Sequence, residues 1–99
     1  MFRRTINASQ RTDVDAELAA LTAAGMEARL SPQALELIVV QVGTLLRQLV
    51  ERGKQLAASG SQMHVTRDIS GSGYAIKLNF SLNARLTLVQ RLLSALRGR

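Results

Sequence analysis

Residues 67–80 read RDISGSGYAIKLNF, and the fold turns on what the Gly71-Ser72-Gly73 at their centre is for. As a dinucleotide fingerprint the triplet lacks its third glycine, because Ile76 stands in that place, and as a P-loop it lacks the Gly-Lys-Ser or Gly-Lys-Thr that should follow. As a turn it fits. Met63, Val65 and Ile69 before it, and Tyr74, Ile76, Leu78 and Phe80 after it, keep the period of two expected of half-buried strands. A two-residue loop Gly71-Ser72, glycine first, suits a type II′ hairpin turn and sets Ile69 opposite Tyr74, Val65 opposite Leu78 and Met63 opposite Phe80. All these apolar side chains then share one face. An odd-length loop would slip the register by one and divide them between two faces.

Upstream, Ser59-Gly60-Ser61 separates the hairpin from a long helix whose start is marked by LSPQAL at residues 30–35. Ser31 is suited to cap it, Pro32 loses no needed donor at the first helical position, and Leu30 can staple onto Leu35. From Leu35 to Leu56 the apolar residues Ile38, Val39, Val42, Leu45, Leu46, Leu49 and Val50 fall within an arc of about 140 degrees at the helical period. Running to about Ala58, this helix would measure roughly 39 Å. A domain of this size has a radius of gyration of about 13 Å, so part of the stripe is expected to meet a second chain. Gly53 lies within the arc, where a close backbone approach would explain it.

A shorter helix precedes it, with Thr12 as cap, Asp13 and Asp15 in the first turn, Val14, Leu18 and Leu21 on the apolar side, and Gly25 at its end. Residues 1–11 alternate weakly and read as a short strand or a flexible arm. After the hairpin, residues 83–97 place Leu86, Leu88, Val89, Leu92, Leu93 and Leu96 on one broad face and read as a last helix capped by Ser81 or Asn83; a third strand over residues 85–89 is the rival. The expected fold is α+β in a single domain over residues 1–99: two N-terminal helices, the second long, a β-hairpin and a C-terminal helix, assembled as a homodimer.

The chain has 99 residues, no cysteine and one histidine, so packing must hold it, and neither disulfides nor a cysteine- or histidine-based metal site is expected. No cofactor is expected. No signal peptide is apparent, and the stretch ALELIVVQVGTLLRQLV is interrupted by Glu36, Gln41 and Arg47, so the reading is cytoplasmic with no membrane span. The net charge of +6 is uneven, with seven basic and six acidic residues up to Gly60 but six basic and one acidic from Ser61 onward. Such asymmetry suits a nucleic acid or another polyanion, or simply a solubilising surface.

Lys77, Arg85, Arg91 and Arg67 are the candidate polyanion contacts. Arg85 and Arg91 are six residues apart, a rotation of about 120 degrees, so they form no single recognition stripe and leave phosphate contact without base reading. Tyr74 and Phe80 fall on the core face, away from any stacking role. Arg67 interrupts the apolar face opposite Ile76, so it must snorkel out, pair with a carboxylate or meet a ligand, and its loss is expected to disturb the fold. His64 falls on the polar face opposite Asn79, and a general acid or base there needs a positioned partner. The histone-like architectural DNA-binding proteins are similar in outline, but their proline-tipped arms have no counterpart at Ser70 to Gly73; small messenger-cutting toxins are similar in size and charge but generally need a larger sheet. The leading expectation is a non-enzymatic interaction module, partner unknown, dimerising through Leu45, Leu49, Gly53 and Leu56 on the long helix or through hairpin edges. A nucleic-acid binder is second, and a nuclease-like enzyme around His64, Arg67 and Tyr74 a distant third.

Overall fold

The computed structural model describes residues 1–83, which form β1 (Phe2–Ala8), α1 (Val14–Glu27), α2 (Pro32–Ala58), β2 (Gln62–Gly71) and β3 (Tyr74–Asn83). The fold is α+β. The N-terminal segment is a strand, and it joins the hairpin in a three-stranded sheet of order β1-β3-β2, parallel to β3, while β2 is antiparallel to β3. The expected C-terminal helix lies outside the described residues, but Ser81 is no helix cap: it belongs to β3, opposite His64.

Both helices follow their local chemistry with small shifts. Asp13, not Thr12, caps α1 by accepting from the Ala16 amide at 3.2 Å, while the Thr12 hydroxyl accepts from the Ser9 amide at 2.8 Å in the preceding turn. Ser31 caps α2 as expected, accepting from Ala34 N at 3.2 Å, with Pro32 next. Gly25 does not end α1. It sits buried inside the helix, where a Cβ would come within 2.5 Å of Leu35 Cδ1, so its role is close packing of α1 on α2. The left-handed residue is Arg29, at φ 60. Leu30 N donates to Gly25 O and Arg29 N to Met26 O, the paired bonds of a Schellman ending. α2 ends the same way, with Ser61 N to Leu56 O and Gly60 N to Ala57 O, but there the left-handed position holds Gly60.

By length and composition α2 could cross a membrane, contrary to the sequence expectation. Its stripe is nevertheless used in the protein core: Ile38, Val42 and Leu46 are fully buried in one cluster with Leu21, Ile6 and the β3 residues Tyr74, Ile76, Leu78, Phe80 and Leu82. Gly53 is where the helix comes down on the sheet. A Cβ there would lie 2.7 Å from Phe80 Cζ and 3.2 Å from Gln10 Cβ, so the close approach is to an aromatic ring of the same chain.

The hairpin register differs from expectation by two residues. Ser72-Gly73 is the loop, with Gly73 at φ 85, and the strand pairs are Gly71 with Tyr74, Ile69 with Ile76, Arg67 with Leu78, Val65 with Phe80 and Met63 with Leu82. The physical reason lies at Gly71, where any Cβ would come within 2.5 Å of the Tyr74 ring. Gly71 therefore takes the strand position beneath Tyr74, and Gly73 takes the left-handed one. An even shift keeps every side chain on its predicted face.

Two outcomes follow for stability. Arg29→Gly should stabilise the protein by about 0.5–1 kcal/mol in chemical denaturation, since relief of the left-handed penalty exceeds the entropy glycine adds to the unfolded chain. Gly53→Ala should instead destabilise by about 1–2 kcal/mol, because overpacking against the immobile Phe80 ring outweighs the gain of about 1 kcal/mol in helix propensity; adding Phe80→Leu should make that cost non-additive.

Candidate interaction surface

The helices cover one face of the sheet and leave the other open. On the open face Asn79 bridges the strands: its Nδ2 donates to Asn7 Oδ1 at 3.1 Å, and its Oδ1 accepts from the Thr66 hydroxyl at 3.2 Å. His64 Nδ1 and Ser81 Oγ lie 2.9 Å apart on the same face. These side chains hold one another across strands, a cross-strand polar lattice that suits a solvated face.

Lys77 is on this open face, exposed, opposite Asp68 on β2 and Thr5 on β1. Arg67 is on the other face. It lines a shallow groove between β2 and α2 with Leu45, Gln48, Glu51 and Arg52. The sheet therefore separates the two described members of the expected polyanion set, while Arg85 and Arg91 lie outside the described residues. His64, Arg67 and Tyr74 do not meet either: His64 faces the open side, Arg67 the helix side, and Tyr74 is buried beside the hairpin loop.

Arg67 resolves its conflict by exposure. The residue is exposed and lines the open groove against α2, so the sheet's apolar face does not bury its charge. Its exposure points to a smaller effect on the fold than the sequence suggests, which a substitution at Arg67 tests. β1 carries a matching residue, because Arg4 also stands on the core-facing side, opposite Ile76, and its Nε is buried with no hydrogen-bond partner among the described residues. Each edge strand thus interrupts its apolar face with an arginine, and β3 between them does not. Inward-pointing charges are a recognised guard against strand addition at a sheet edge. Assembly through hairpin edges is disfavoured by the same placement.

Of the four helix positions expected at a dimer interface, Leu49 is 8% exposed and Gly53 lies under Phe80, so both serve the chain's own core. Leu45 and Leu56 are half-buried. Among the described residues the exposed large apolar side chains are elsewhere: Met1 at the N-terminus, Met26 near the end of α1 at 67%, and Leu37 and Val40 in the first half of α2 at 54% and 59%. At the turn between α1 and α2 an open groove of about 570 Å³ is lined by Met26, Leu30, Leu35 and Val39 together with Thr22, Pro32 and Glu36; Leu37 and Val40 do not line it. Sequence reasoning missed this surface, because Leu35 and Val39 belong to the same stripe as the core.

The helical hairpin is acidic along its length, with Asp13, Asp15 and Glu17 at the start of α1 and Glu27 and Glu36 nearer the turn. Residues 12–46 contain five acidic side chains, Asp13, Asp15, Glu17, Glu27 and Glu36, against Arg29 alone. Arg47, at the first basic position after them, reaches Asp15 at 3.7 Å, but both side chains are largely exposed and the pair adds little stability. The chain matches no protein-family model, no curated protein and no solved structure.

The edge guard is testable. Arg67→Gln should leave unfolding free energy within about 0.5 kcal/mol of the parent, as for other exposed sites. Arg67→Val should leave the fold intact but produce concentration-dependent growth of scattering mass, and a monodisperse Arg67→Val protein would show that the arginine guards nothing.

Proposed function

We propose that this protein is a small non-enzymatic interaction module that acts as a homodimer and binds through the tip of its α1–α2 hairpin. The observation that carries the reading is the open apolar groove there, to which the exposed Met26 contributes with Leu30, Leu35 and Val39. Contiguous apolar surface of this kind marks contact sites on soluble proteins. The polar open face of the sheet and the guarded edges support the same choice by offering less to a protein partner. The polyanion reading draws less support, since Lys77 and Arg67 are on opposite sides of the sheet and Lys77 faces Asp68.

Light scattering tests the proposal. The parent chain should show twice its 10.8 kDa mass at micromolar concentration. Met26→Glu combined with Val40→Glu should return it to the monomer with an unchanged circular dichroism spectrum, because both sites are exposed and a charge there costs little in the folded monomer but much in an apolar contact. A monomeric parent would refute the reading.

A further inference from the structure

We propose that the groove between β2 and α2 binds a small phosphorylated molecule, its phosphoryl group held by Arg52 and Arg67 with Arg47 beside them. This site shares no residue with the apolar groove at the α1–α2 turn and does not depend on the homodimer reading.

The charges at the groove do not balance within the chain. Three arginines line it, Arg47 and Arg52 from α2 and Arg67 from β2, against one carboxylate, Glu51. Arg47 meets Asp15 at 3.7 Å, but among the described residues neither Arg52 nor Arg67 forms an ion pair with Glu51 or any other acid. All seven acidic residues of the chain lie between Asp13 and Asp68, so residues 84–99 bring no acidic side chain that could join them. A groove lined by one sign of charge focuses the field within it, and an anion from outside relieves the repulsion.

The donors suit a phosphoryl group. Leu45, Gln48, Leu49 and Arg52 follow the i, i+3, i+4, i+7 spacing and share one face of α2, while Arg67 stands on the core-facing side of β2, opposite Leu78. Planar guanidinium forks meet phosphate oxygens in pairs, and Gln48 and Gln55 add neutral N–H donors at the same groove. Leu45 and Leu49 give it an apolar wall for a carbon skeleton, and its volume of about 640 Å³ matches a small-molecule site. Lys77 is on the opposite face of the sheet, so this charge does not continue across the sheet as a track for a nucleic-acid backbone. Arg67 can still guard the β2 edge, because the guard needs only its charge and the site uses its fork.

Titration calorimetry of the full chain at low ionic strength, with pyrophosphate and with ADP, tests the assignment. Both should bind at one site per chain, ADP at least as tightly as pyrophosphate because its nucleoside can lie against Leu45 and Leu49. Arg52→Gln and Arg67→Gln should each weaken binding about tenfold, the effect of losing a charged hydrogen-bond donor. Glu51→Gln should tighten it about threefold by removing the opposing charge. Lys77→Gln changes net charge equally on the other face and should leave affinity within about twofold. All four positions are exposed, so the variants should keep the fold, which circular dichroism checks. No heat from either ligand, or equal losses from Lys77→Gln and Arg67→Gln, would overturn the site. Pyrophosphate bound far more tightly than ADP would mean an adventitious ion only, and a short DNA duplex that displaces ADP and binds more tightly would overturn the small-ligand assignment in favour of nucleic acid. None of these results bears on the scattering mass, so the homodimer reading stands or falls separately.

Discussion

Phe80 is the largest fully buried side chain among the described residues, and its ring ends where Gly53 has no side chain. That contact fixes how closely α2 can lie on the central strand. Gln10, in the connection from β1 to α1, approaches the same notch, so the sheet, the long helix and the N-terminal loop converge on one glycine. Everything on the helix side of the sheet takes its height from this point. The even alternation of Tyr74, Ile76, Leu78, Phe80 and Leu82 then presents a continuous apolar row to α2 and α1.

The hairpin tip is held differently. There α1 is drawn onto α2 by two glycines: Gly25 makes room for Leu35, and Gly43, where a Cβ would lie 3.1 Å from Leu18 Cδ1, makes room for Leu18. Close backbone approach lets two helices with short side chains share a core. It leaves the outward sides of the tip uncovered, including Met26, Leu37 and Val40. A helix of 27 residues, about 40 Å long, carries more apolar surface than a three-stranded sheet and a 14-residue helix bury, and the excess appears at the end farthest from Gly53.

The sheet divides the protein into surfaces with different capacities. Its open face is tied together by Asn79, Thr66 and Asn7 and presents polar groups already paired with one another. Its edges carry Arg4 and Arg67 on the core-facing side, which costs some packing but makes a foreign strand bury a charge if it adds there. The helical tip has neither device. The groove beside Leu35 and the exposed Met26 are left open to apolar contact.

Local chemistry in the sequence determined the elements. Ser31-Pro32 started α2 where expected, Ser59-Gly60-Ser61 stopped it, and the period of two through residues 63–80 assigned each strand side chain to its face, because these features depend on neighbours within a few residues. The strand option for residues 1–11 was legible too, but its place beside β3, and its parallel direction, depended on space left in the sheet. The hairpin register was decided by the Tyr74 ring over Gly71, the end of α1 by the fit of Gly25 under Leu35, and the meaning of Gly53 by Phe80, each a contact between residues whose proximity no local pattern encodes. The candidate site was less legible than the fold. Helical period can say that Leu35, Val39 and Leu49 share a stripe, but only the tertiary structure decides which part of a stripe another element covers, and here it covered Leu49 and left the groove beside Leu35 open.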